Sequence, residues 1–287
     1  GTLALATGAV LTLAEVLQYC SSEGEPCGLR AAVELMTQAS RVLQQAHSAA
    51  SAHGIPSHGS LSPWRILLAP DGTLEIAAMG MPDVELFAYL DGQQGGVSLD
   101  TLRYAPPERL EDLEEDARSD LYTIALVGAE MILGRPVFDG PPTEVAERVL
   151  RGDAPELIEA IGAELSEEVL DLLCVATELT PDERFRSLAE FEVQAGAIRG
   201  AGPSLAELVE RALDARPSEA GQEPDEPLPE PEEEDEDAET RPGIDSDFQL
   251  VPPVPPLPAG ADLAAAKEHA RAVADRARQL AEQADAM

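Results

Sequence analysis

Within Ser57-His58-Gly59-Ser60 a hydroxyl follows an imidazole by two positions, the pairing from which a base-activated serine nucleophile is built. Acyl-transfer chemistry there would also need an orienting acid and an oxyanion hole. The acidic run Glu111-Asp112-Leu113-Glu114-Glu115-Asp116 offers carboxylates in number, but not the alternating ligand spacing and turn glycine of a calcium loop. It reads as a solvated acidic loop. The three cysteines, Cys20, Cys27 and Cys174, lack a CxxC spacing or paired histidines, so they indicate neither a disulfide framework nor a zinc site and read as small apolar core residues. His47 and His53 fall at or just past the end of a long helical pattern, where a histidine meets the helix dipole favourably.

The chain that carries these residues has 287 residues, 55 acids against 19 bases, and a net charge of −36. That balance excludes a nucleic-acid binder built on phosphate neutralisation. No apolar run is long enough for a membrane span and no signal region opens the chain, which points to a cytoplasmic protein. The charge is uneven. Residues 217–239 hold 12 acids and no base. This block, with EPDEPLPEPEEEDEDAE, cannot bury enough apolar surface to offset its ordering entropy, and VPPVPPLP after it favours extended polyproline geometry. Residues 1–215 are therefore expected to fold, 216–260 to form a disordered acidic and Pro-rich linker, and 261–287 to form an Ala-rich helix. In that last segment Leu263, Ala266, Ala270, Val273, Ala277, Leu280, Ala284 and Met287 alternate at three and four, a weak heptad seam open to self-association or to packing with further chain. The pattern stops mid-repeat, which suggests a longer parent chain.

The expected fold class is mainly α. Apolar residues at helical spacing predict helices over Leu11–Gln18, Leu29–Ala49, Leu121–Leu133, Glu144–Leu150, Ser166–Glu178 and Leu188–Ile198. Between the second and third, ILLAPDGTLEIAA predicts a small hairpin turning at Pro70-Asp71-Gly72-Thr73.

In that order the segments resemble the C-terminal lobe of bacterial eukaryotic-like serine/threonine protein kinases. AHGIPSHGSLSPWRILLAPDGTLEIAAMGM is similar to the catalytic loop, hairpin and metal-binding loop; LRYAPPERL to the Ala-Pro-Glu segment; DARSDLYTIALVGAEMILGRPVF to the central helix; TPDERFRSLAEF to the terminal helices. The resemblance runs from about Leu3, at the hinge, to about Ile198, and leaves the N-terminal lobe outside the chain. It implies that Asp120 anchors the catalytic-loop backbone, that Glu108 and Arg184 form a buried ion pair, and that His58 is a structural histidine of the regulatory spine. Met79 and Gly80 then take the places of the metal-loop phenylalanine and glycine.

It also implies that the chemistry is degenerate. Phosphoryl transfer needs an acid to orient the hydroxyl and an Asn and Asp to hold magnesium. Those positions fall on Ser60, Arg65 and Ala78. Ser62 stands where a lysine is common, although some bacterial relatives carry Ser-Pro there. Gly59 replaces the arginine that reads an activation-loop phosphate, and the only lysine, Lys267, cannot serve as the N-lobe lysine. The expectation is a catalytically inactive, pseudokinase-like scaffold that binds protein partners, with no cofactor and no metal. The alternative is atypical ATP- and Mg²⁺-dependent phosphoryl transfer supported by an upstream N-lobe; a third reading makes the acidic block a lure for a basic partner. Trp64, Phe87 and Tyr89 lie on or near the groove that receives substrate peptide in active relatives, and Trp64 either anchors a partner or packs in the core.

Overall fold

A computed structural model describes residues 10–50, 54–81 and 99–216. In chain order the elements are β1 (Leu11–Thr12), α1 (Leu13–Glu23), α2 (Leu29–Ala50), a 3-10 turn (Pro63–Arg65), β2 (Ile66–Leu68) and β3 (Leu74–Ile76). Then follow α3 (Leu99–Arg103), α4 (Pro107–Leu110), α5 (Ala117–Leu133), α6 (Pro142–Arg151), α7 (Ala154–Ile161), α8 (Glu167–Ala176), α9 (Leu188–Ala197) and α10 (Leu205–Asp214). The lobe is mainly helical with one small antiparallel sheet, ordered β1-β2-β3. The expected acidic linker and C-terminal helix fall, from residue 217 onward, outside the described residues, as do His53, Phe87 and Tyr89.

The start of the chain differs from the expected helix over Leu11–Gln18. Thr12 is extended and caps α1: its hydroxyl accepts the Glu15 N–H while the Glu15 carboxylate accepts the Thr12 N–H. The cap starts the helix at Leu13, directly after the strand, leaving Leu11 and Thr12 free to pair with Leu68 and Leu67. The hairpin therefore gains a third strand. Its turn closes where Asp71-Gly72 predicted, with the Gly72 N–H donating to the Ala69 carbonyl and the Thr73 N–H to the Asp71 carboxylate.

Helix α2 buries Ala31, Ala32, Leu35, Met36, Ala39, Ser40 and Leu43, a stripe at helical spacing that packs against α5 and α9. Its contact with α5 is close, because Met36 Sδ lies 2.5 Å from where a Cβ on Gly128 would sit. Helix α5 is enclosed nearly all round, with every residue from Ser119 to Ala129 buried. A helix in that position must satisfy its polar side chains internally. Thr123 does so by donating to the Tyr104 carbonyl, which fixes the segment leading into Pro106-Pro107. The last helix among the described residues, α10, lies outside the helices expected from periodicity; it opens on a capping box between Ser204 and Glu207 and docks through Leu205, Leu208 and Val209.

Candidate functional site

Two short loops, residues 58–65 and 77–81, meet beside the hairpin. Four hydrogen bonds join them. The Ala77 N–H donates to the Arg65 carbonyl at 2.9 Å, the Gly80 N–H to the His58 carbonyl at 2.9 Å, the His58 ring to the Ala77 carbonyl at 2.8 Å, and the Ser60 hydroxyl to the Met81 carbonyl at 2.8 Å. Gly80 has φ +74, and a Cβ there would lie 2.9 Å from Ile55. Ala78 has φ +66, a left-handed conformation that strains any residue other than glycine and, to a lesser degree, asparagine or aspartate. Met79 packs half-buried against the core.

The imidazole of His58 is fixed in role by these bonds. Its Nε2–H donates to the Ala77 carbonyl and its Nδ1 faces the Ser60 N–H at 3.4 Å, so the buried ring is the neutral tautomer. Burial is the largest influence and holds its pKa below the usual histidine value, against the pull of the Asp120 carboxylate. The Ser60 hydroxyl points to Met81 rather than to this ring. Ser60 and His58 are neighbours, but their side chains do not form a nucleophile and base.

Asp120, fully buried on α5, accepts the His58 N–H on both carboxylate oxygens, at 3.0 and 2.9 Å. It also accepts from His47 Nε2 at 2.7 Å. His47 thus has a specific acidic partner 73 residues away, in addition to its place in the last turn of α2.

A second polar cluster lies behind α4. Arg184 Nη1 and Nη2 donate to the two Glu108 oxygens, each at 2.9 Å. Its remaining donors reach the carbonyls of Glu178, Arg118 and Leu179, and its guanidinium stacks 4.7 Å above the Tyr122 ring. Ser119 adds a hydroxyl donor to Glu108. Beside it, Arg109 pairs with Glu115 through Nε at 3.1 Å and Nη2 at 2.7 Å, and Ser57 donates to the same carboxylate at 2.8 Å. Burial opposes the Arg109 charge, yet Glu115 outweighs it and keeps the pKa raised. The acidic run is therefore only partly solvated: Glu115 is a half-buried partner of the buried Arg109, and Asp116 caps α5 by accepting the Arg118 N–H. Nothing in the local sequence distinguished Glu115 from its neighbours.

Trp64 is exposed at 53 % and borders a pocket of about 350 Å³, together with Cys20, Cys27, Tyr104, Glu130 and Arg135. Ser62 precedes the 3-10 turn that carries Trp64 and Arg65.

The donor set at the paired loops does not fit magnesium. Ala78 has no side-chain oxygen, Arg65 is cationic, and the Ser60 hydroxyl is committed to a backbone carbonyl. Among the described residues no group of three or more His, Cys, Asp or Glu is placed to hold a metal ion. No described helix is long and apolar enough to cross a membrane.

A helical lobe whose central-helix aspartate holds a histidine-bearing loop, and whose Ala-Pro-Pro-Glu segment is locked by a distant arginine, is arranged like a protein kinase C-lobe. The relatives agree: the chain is similar to bacterial serine/threonine protein kinases. It is 29 % identical over 173 residues to serine/threonine-protein kinase PknA of Mycobacterium tuberculosis, covering 60 % of this chain and 37 % of that one. To PknA of Corynebacterium glutamicum it is 27 % identical over 158 residues, 54 % of this chain and 32 % of the relative. To PknB of Mycolicibacterium smegmatis it is 27 % identical over 166 residues, 58 % of this chain and 26 % of the relative. The matched region thus spans well under half the length of these relatives. No protein-family model matches the chain.

Proposed function

We propose that this lobe keeps the kinase scaffold without its phosphoryl-transfer chemistry and works as a cytoplasmic protein-interaction module. The observation that carries the reading is Ser60: at the position that the resemblance assigns to the catalytic aspartate, a short hydroxyl donates to the Met81 carbonyl, where an orienting acid would have to accept from a substrate hydroxyl. Arg65 and Ala78 support it, since neither supplies the anionic oxygen that would hold Mg²⁺ against the phosphates. The surplus of acids over bases across the lobe also disfavours a bound nucleotide. Trp64, exposed beside its pocket, is the partner-facing anchor in this reading.

The test is phosphoryl transfer by the full-length protein with Mg²⁺ and ATP, alongside a thermal shift with the same ligands. The expected result is no transfer and no shift in Tm. Transfer by the wild type that disappears on changing Ser60 or Arg65 would overturn the proposal in favour of atypical catalysis. Trp64→Ala should leave Tm within a degree or so, because the side chain is more than half exposed.

A further inference from the structure

Cys20 lies in the last turn of α1, and Cys27 lies seven residues later in the short connection to α2. Their sulfur atoms are 3.2 Å apart, with the Cys27 thiol donating to Cys20. Both side chains are buried from bulk solvent, yet both line the pocket bordered by Trp64 and Tyr104. The connection between them is held in shape: Gly24 is left-handed, its N–H donating to the Cys20 and Ser21 carbonyls, and the Glu25 N–H donates to the Cys20 carbonyl. The turn that presents the two thiols to each other is therefore fixed by backbone bonds to the last turn of α1.

Separation matters because a disulfide requires the sulfurs to close to about 2.05 Å, roughly 1 Å nearer than they stand. From the structure we infer that Cys20 and Cys27 form a reversible thiol–disulfide exchange site, whose co-reactant is a low-molecular-weight disulfide entering through the adjacent pocket.

The two thiols have different roles. The Cys27 donor and the positive charge of Arg211 on α10 hold the Cys20 thiol below the usual cysteine value, whereas Cys27 is pushed up by the same contact and by burial. Cys20, the less deeply buried of the two and the acceptor of the Cys27 thiol, is thus the attacking group. Its thiolate attacks one sulfur of the small disulfide, forming a mixed disulfide and releasing one small thiolate, which takes up a proton. The Cys27 thiol then loses its proton and attacks the Cys20 sulfur, expelling the second small thiolate. The protein is oxidised by two electrons and the reagent is reduced to two thiols. Cys174 is a contrasting case: burial and the nearby Glu159, Asp171 and Glu178 push it up to about 11, so it stays protonated.

Oxidised and reduced glutathione in varied ratio, applied to the full chain, provide the test, read by counting alkylatable thiols and by peptide mapping. The wild type should lose two of its three thiols, yield a Cys20–Cys27 cross-linked peptide, recover both with excess reduced glutathione, and gain several degrees in Tm when oxidised. Cys27→Ser should hold one glutathione on Cys20; Cys20→Ser should leave Cys27 unmodified. Three alkylatable thiols under excess oxidised glutathione would overturn the inference. So would glutathione that persists on the wild type without ring closure, or a cross-link between two chains. The wild-type thiol count decides the matter even if a serine variant folds poorly.

Discussion

Two polar regions of the lobe lie close together and differ in kind. Around Arg184, every donor of the guanidinium finds an acceptor, Glu108 accepts on both oxygens, and Tyr122 stacks beneath. Across the paired loops 58–65 and 77–81, the bonds run mostly through backbone groups, and Ser60, Arg65 and Ala78 bring only a short hydroxyl, a cation and a methyl. The first region is polar because the packing of α4, α5 and the segment before α9 would otherwise bury unpaired charge. The second can lose polarity without loss of fold, because main-chain bonds carry the connection. The two regions are thus held together by different kinds of bond, side-chain charge in one and main chain in the other.

The sharpest way to break that contrast is to treat the Arg184 cluster as dispensable. Arg184→Met removes five donors and leaves Glu108 buried beside a single hydroxyl, which should cost about 3–5 kcal/mol in urea denaturation. A loss below about 1 kcal/mol would mean that solvent reaches Glu108 and that the two regions do not differ as described.

How much of this was legible beforehand depends on the length scale of the signal. Helices α2 and α5 were visible because a stripe such as Leu35, Met36, Ala39 and Leu43 repeats over several turns. Helices α3 and α4, of 5 and 4 residues, are too short to show any period, and β1, of 2 residues, exists only because β2 offers it a partner. Helix α10 did carry a readable signal, the Ser204–Glu207 capping box, which composition near the domain end obscured. Within the site, His58, Ser60 and Ala78 were singled out through the family resemblance, whose motifs lie in contiguous loops. The His47–Asp120 and Arg109–Glu115 pairs could not, because a charge gains meaning from burial, and no local pattern separates Glu115 from Glu114. The Cys20–Cys27 pair was hidden for the same reason: spacing excluded a known motif, whereas the turn at Gly24 brings the sulfurs together.

A gentler probe of the loop region is proton linkage. The folded pKa of His58 lies below its unfolded value of about 6.5, so the unfolded chain takes up a proton first as pH falls. The His58 contribution is therefore fully present above about 6.5 and declines as pH drops from there toward the depressed folded value. Stability measured against pH should show this decline in the wild type, and His58→Gln should flatten it relative to the wild type at the same Asp120, Arg109 and Arg65 charges. An unchanged slope would place the imidazole in contact with water and undo the neutral-tautomer assignment.

Backbone strain at Ala78 gives a smaller effect of opposite sign. Its φ of +66 suits glycine better than alanine, so Ala78→Gly should stabilise the lobe by roughly 0.5–1 kcal/mol, net of the extra freedom it gives the unfolded chain. That gain would show that the loop holds its left-handed turn at Ala78 at a small cost in stability. A loss would instead mean that the Ala78 methyl packs against something the paired loops require.

The smallest expected change tests the scaffold region from within. Tyr122 is completely buried, and among the described residues its hydroxyl has no hydrogen-bond partner, while its ring supports the Arg184 guanidinium. Burial and the Glu108 carboxylate both favour the protonated phenol, against the opposing pull of Arg184, so the group carries no charge to offset its desolvation. Tyr122→Phe keeps the ring and deletes the unpaired hydroxyl; stability should be unchanged or rise by up to about 1 kcal/mol. A loss of more than about 1 kcal/mol would reveal a hydrogen bond through ordered water, and the Arg184 cluster would then extend one shell further into α5.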